Sequence, residues 1–84
     1  MNFRRITIEL HAQAADLAGS RTAGVDVGVD ATCADVKRLL ASGVPALATL
    51  VASSALATDR EYLADHAVVG SEVLLHLIPP VSGG

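Results

Sequence analysis

The sequence predicts one α+β domain, a mixed sheet with a main helix packed across one of its faces. Three stretches carry that expectation. Near the start, Ile6, Ile8 and Leu10 alternate with Arg5, Thr7 and Glu9, the period-two pattern of a half-buried strand. In the middle, ATCADVKRLLASG places Cys33, Val36, Leu39 and Leu40 on one face at spacings of three and four, the pattern of an amphipathic helix. Near the end, EVLLHLI is apolar on both faces, as a central strand is, and it stops at Pro79 and Pro80. A chain of 84 residues holds one domain, and it buries roughly 60–65% of the surface that its unfolded form exposes. It is 51% hydrophobic but only 2% aromatic, the aromatics being Phe3 and Tyr62, so its core must come from Leu, Val, Ile and Ala.

The elements follow in order. After the first strand, AQAADLAG is helix-prone, and Gly19 is placed to end it. Val25, Val27 and Val29 alternate with Asp26, Gly28 and Asp30, giving a second strand able to pair with the first as a wide hairpin. Thr32 is placed to cap the main helix, with Asp35 three residues on, where a capping box usually has Glu or Gln. Gly43 suits the position just past that helix, and Pro45 forbids continuation. Pro45 to Ser53 fits a short helix with Leu47, Leu50 and Val51 inward. ALATDREYLA reads as two short strands around Asp59 and Arg60, and ADHAVVGS as a turn-rich connection. A hairpin, a helix across it and a final strand parallel to the first make the plan of a β-grasp, or ubiquitin-like, sheet. Residues 1–78 would form this body and residues 79–84 an extended tail.

Composition narrows the function. A net charge of −3 and the lack of any basic cluster interleaved with aromatics argue against nucleic-acid binding. Cys33 is the single cysteine, which rules out an internal disulfide and fits a reducing, cytoplasmic setting. It reads as a small core residue, with a reactive thiol at a helix start as the alternative. No signal peptide is evident, since Thr7 and Glu9 interrupt the apolar run after Arg4 and Arg5. The uncharged stretch from Leu39 to Thr58 is long enough to span a bilayer. Its glycine, proline, serines and threonines favour instead a helix end, a turn and a second short helix, so no membrane contact is expected. His11, His66 and His76 have no metal-ligand spacing with Cys33 or a carboxylate cluster, and no metal site is expected. There is no phosphate-binding glycine loop and no Ser-His-Asp order, so the chain by itself is expected to catalyse nothing and to bind no cofactor.

Two features point to work done with partners. In the last strand, Val73, Leu75 and Leu77 alternate with Glu72, Leu74, His76 and Ile78. If the first set packs on the helix, Leu74 and Ile78 face the open side of the sheet. They then mark a partner site, or the segment from Ser53 to Ser71 folds over them. The second feature is the ending LIPPVSGG. Pro79 and Pro80 fix φ and lack N–H groups, so sheet pairing ends there and the chain projects. Six residues, Pro79 to Gly84, reach roughly 20 Å. Gly83 and Gly84 can pass through a slot too narrow for any side chain and present one reactive group, a terminal carboxylate. Adenylation would make that carboxylate an electrophile. Attack by a persulfide and reductive cleavage would then leave a thiocarboxylate.

The chain resembles the small subunit of molybdopterin synthase, the MoaD-type sulfur carriers of the MoaD/ThiS ubiquitin-like family. The resemblance rests on LHAQAADLAG, TCADVKRLL, ATDREYLA and, most closely, IPPVSGG. One stretch departs from it. Where the family has an acidic turn before the prolines, this chain has VGSEV, two residues further from them. An even shift keeps the faces of the last strand in place. The resemblance implies that an E1-like adenylating enzyme uses ATP to activate Gly84 and that a sulfur donor relay converts it to a thiocarboxylate. The tail, Pro79, Pro80, Val81, Ser82, Gly83 and Gly84, then enters the active site of a large catalytic subunit. There it gives its sulfur to cyclic pyranopterin monophosphate in molybdenum cofactor biosynthesis. The implied assembly is a heterotetramer of two small and two large subunits. His11, Tyr62 and Ile78 match the family's contact positions, and Leu74 and His76 join them on the expected interface. A ubiquitin-like protein modifier, joined through Gly84 to a lysine, and a sulfur carrier for thiamine or another cofactor remain as alternatives.

Overall fold

The computed structural model describes residues 3–81. One five-stranded mixed sheet runs through it in the order β2–β1–β5–β3–β4. Strand β1 (Phe3–Leu10) and β2 (Thr22–Gly28) pair antiparallel from Phe3 opposite Gly28 to Glu9 opposite Thr22. The short helix α1 (Gln13–Ala18) lies between them in sequence. It ends on Gly19, whose φ of 70° is the left-handed conformation that a side chain disfavours. The final strand β5 (Leu74–Ile78) runs parallel to β1, with Leu75 beside Ile8 and Leu77 beside Leu10. Its other edge takes β3 (Ala55–Ala57), which pairs with β4 (Tyr62–Leu63). This is the β-grasp sheet expected from the sequence, with first and last strands together at its centre.

The core lies on one face. Ile6, Ile8, Val25, Val27, Leu56, Leu75 and Leu77 from the strands meet Cys33, Val36 and Leu40 from α2 (Cys33–Gly43) in a single cluster. Helix α2 begins with a complete capping box. The Asp35 N–H donates to Thr32 Oγ1 at 3.3 Å, and the Thr32 N–H donates to Asp35 Oδ2 at 3.0 Å. That backbone hydrogen bond, with Arg38 and the Thr32 hydroxyl, holds the Asp35 carboxyl below the usual carboxylate range. After α2, a 3-10 turn at Pro45–Leu47 leads into α3 (Ala48–Ser53), and Leu47 and Val51 close the bottom of the core. The uncharged stretch is thus broken as its glycine and proline suggest. Among the described residues no helix is long and apolar enough to cross a membrane.

Three boundaries differ from expectation. Strand β2 stops at Gly28, because the Ala31 N–H donates back to the Gly28 carbonyl; Val29 is left in that turn, 58% exposed. Gly43 is the last residue of α2 and Val44 is its cap. Strand β5 begins only at Leu74, so Val73, expected to face the helix, is 64% exposed. The cause is the VGSEV segment. Gly70 takes a φ of 58°, the Glu72 N–H donates to the Val69 carbonyl at 3.2 Å, and the Arg4 guanidinium donates to the carbonyls of Gly70 and Glu72. All five residues between VGSEV and Pro79 belong to β5, and Leu75 and Leu77 stay fully buried.

Candidate functional site

The face of the sheet away from α2 carries a row of register partners, one from each strand: Thr22, Glu9, His76, Ala57 and Tyr62. On either side of that row along β5 stand Leu74 and Ile78. Tyr62 is 69% exposed and Leu74 37%, while His76 and Ile78 are half-buried. His11, Tyr62, His76 and Ile78 line one shallow hollow together with Ala57 and the β3–β4 loop. Leu74 stands apart from it, in a second hollow with Val68 and Val73, both exposed. Of the five interface residues expected from the sequence, four therefore share one hollow and the fifth stands in an adjoining one that charged residues of the β3–β4 loop also line.

The first hollow is built around paired imidazoles. His11 follows β1 directly and shares the side of the strand on which Glu9 lies, two residues before it. The chain then turns sharply. Ala12 has φ 52° and ψ −129°, and the Ala14 N–H donates to the His11 carbonyl at 3.0 Å. These are the angles of the first central position of a type II′ turn, where glycine is usual. The turn brings His11 Nε2 to 2.9 Å from His76 Nδ1. On its other side, His76 Nε2 lies 2.7 Å from Asp59 Oδ1 in the β3–β4 loop. An ionised carboxylate only accepts, so His76 Nε2–H donates to Asp59. Nδ1 of the neutral ring then accepts from His11 Nε2–H. Glu9 Oε2 stands 3.9 Å from His76 Nδ1.

Spacing along the sequence, from which no metal site is expected, does not show one donor grouping that the fold creates. Glu9, His11 and His76 place one donor atom each within 4.8 Å of one another. The missed residues are Glu9 and Asp59. The signal for Glu9 was its spacing of two from His11 on a strand; Asp59 had none. Cys33 shows the opposite case. It is fully buried, and burial, followed by the nearby Asp65 charge, pushes its thiol up against the lowering effect of Lys37. That makes it a core residue and not a nucleophile.

The tail leaves the sheet beside this face. Pro79 is buried, whereas Pro80 and Val81 are exposed, Val81 by 92%. With Ala12 and Gln13 these residues border a shallow groove. Ser82, Gly83 and Gly84, expected to carry the chemistry, lie outside the described residues.

No family model matches the chain. Among solved structures, that of SAMP1 from Haloferax volcanii superimposes with a TM-score of 0.81 and 32% sequence identity, covering 96% of this chain and 100% of the other. The chain belongs to the ubiquitin-like β-grasp family of the small archaeal modifier proteins. Two more distant structures share the fold. Small archaeal modifier protein 1 from Methanosarcina acetivorans matches with a TM-score of 0.77 and 18% identity over the whole of both chains. A protein described as molybdopterin converting factor, subunit 1, from Pyrococcus furiosus matches with a TM-score of 0.76 and 14% identity, covering 92% of this chain and 98% of that one. The family shown is thus that of the small archaeal modifier proteins, and the molybdopterin converting factor structure shares the fold alone.

Proposed function

We propose that this chain is a sulfur carrier that acts in the cytoplasm as the small subunit of a molybdopterin synthase, and that it is not an enzyme by itself. One observation carries the reading: the IPPVSGG ending leaves the central strand at a proline pair, next to an open sheet face with exposed Tyr62 and Leu74. In this reading an E1-like enzyme joins the Gly84 carboxylate to the AMP portion of ATP and releases pyrophosphate. A persulfide sulfur attacks the acyl carbon and AMP leaves. A thiol then cleaves the resulting acyl disulfide, leaving the thiocarboxylate. The open face, through His11, Tyr62, Leu74, His76 and Ile78, docks on the large catalytic subunit. The tail carries sulfur to cyclic pyranopterin monophosphate inside that subunit, within an assembly of two small and two large subunits. In this reading Gly83 and Gly84 offer backbone alone to an entry channel that a larger residue would not pass.

A second reading is favoured by the 32% identity to a small archaeal modifier protein. In it the same adenylate passes Gly84 to a lysine amine of another protein. Intact mass spectrometry separates the two. After incubation with ATP, the adenylating enzyme and a sulfur donor, the carrier reading expects one oxygen to be replaced by sulfur at Gly84. That sulfur is then lost on adding the large subunit with cyclic pyranopterin monophosphate. Lysine conjugates with no such transfer would favour the modifier. An unchanged mass with every component supplied would overturn both. Deleting Gly84 should abolish the mass change.

A further inference from the structure

We propose that Glu9, His11 and His76 bind one divalent transition-metal ion of the zinc, copper or nickel class on the open face of the sheet. The inference is independent of the sulfur-carrier reading. Two imidazoles and one carboxylate are a donor set that suits these ions and not magnesium or calcium, which prefer oxygen alone. The three donor atoms lie within 4.8 Å of one another. They also stand on firm supports. Glu9 and His76 are register partners on the two central strands, and His11 follows β1 at the strained turn on Ala12.

The supporting hydrogen bond is already made. His76 Nε2–H points to Asp59 Oδ1 at 2.7 Å, which keeps the Nδ1 lone pair on the side of His11 and Glu9. A carboxylate behind a histidine fixes the ring and raises the basicity of its other nitrogen, the usual arrangement around bound zinc. The Glu9 and Asp59 carboxylates together offset the two positive charges of the ion. His11 Nε2 and His76 Nδ1, now 2.9 Å apart, would have to separate to about 3.3 Å for tetrahedral bonds of about 2.0–2.1 Å. His11 would move its proton from Nε2 to Nδ1 through water, with no net proton released. The fourth position would be left to water or to a group from a bound protein.

The test uses the untagged full chain, since a histidine tag would compete. Calorimetric titration with zinc should give one saturable site per chain, and cobalt should give the visible absorption of a tetrahedral complex. His11→Ala and His76→Ala should each weaken binding by about 100-fold, and Asp59→Asn by about 10-fold. His66→Ala, in the exposed connection before β5, should change nothing. Zinc should shift the ring signals of His11 and His76 in the wild-type NMR spectrum and leave those of His66 in place, a readout that needs no variant to fold. Absence of a saturable one-to-one site, binding retained without His11 and His76, or equal perturbation of His66 would overturn the proposal. The pair would then be a hydrogen-bonded chain only.

Discussion

Among the described residues, Ala12 is the one whose conformation its side chain least suits. Its φ of 52° with ψ of −129° belongs to glycine in a turn of this type. Residues held in such regions cost about 1–3 kcal/mol, against which glycine loses some entropy on folding. Ala12→Gly should therefore stabilise the protein by about 1 kcal/mol, which is roughly a 5 °C rise in melting temperature for a domain of this size. A melting temperature that falls would show that the methyl group packs better than the angles suggest. The strain has a local use, because the turn sets His11 against His76. The sequence gives no hint of it, since an alanine in an alanine-rich run reads simply as helix. The imidazole cluster was half legible for a similar reason. Glu9 and His11 share a strand face by period alone, but His76 joins them only through the β1–β5 register, which no local pattern encodes.

At the scale of elements, α2 was legible because its start is written within four residues. Thr32 and Asp35 satisfy each other's N–H groups whatever the remainder of the chain does. Thr32→Ala should cost about 1 kcal/mol, measured by denaturant titration at neutral pH. Asp35 adds a pH dependence with a definite sign. Its folded carboxyl lies below the usual range, so its contribution is complete above the unfolded value and is lost as pH falls through the folded one. The difference in melting temperature between the wild type and Asp35→Ala should shrink in acid; a constant difference would assign the effect to helix propensity instead. The ends of β2 and β5 were not legible. Val29 continues the alternation but is turned out by the Gly28–Ala31 hydrogen bond, and Val73, although its carbonyl accepts from the Thr7 N–H of β1, comes straight after the Val69–Glu72 turn and stays exposed.

For the whole molecule, burial along the described end of the chain stops at Pro79. Leu77 is fully buried between Leu10 and Leu56, whereas Pro80 and Val81 are exposed. Leu77→Ala should destabilise by about 2–5 kcal/mol. Removal of residues 80–84 should leave the melting temperature unchanged while ending any activation of the carboxyl end. Pro79 stays in that variant because it is buried. A truncation that melts early would mean that the tail packs on the body and is no projecting arm. The topology was legible from order alone, because a hairpin, a capped helix and a doubly apolar last strand leave few ways to close one sheet.

The parallel pairing of β1 with β5 has a mechanical consequence. A partner gripping the chain beyond Ile78, while the start of β1 is anchored, would pull the two central strands lengthwise past each other. The load would fall on their evenly spaced hydrogen bonds all at once, and none could be peeled away before the next. The domain is thus built to resist traction applied along that segment.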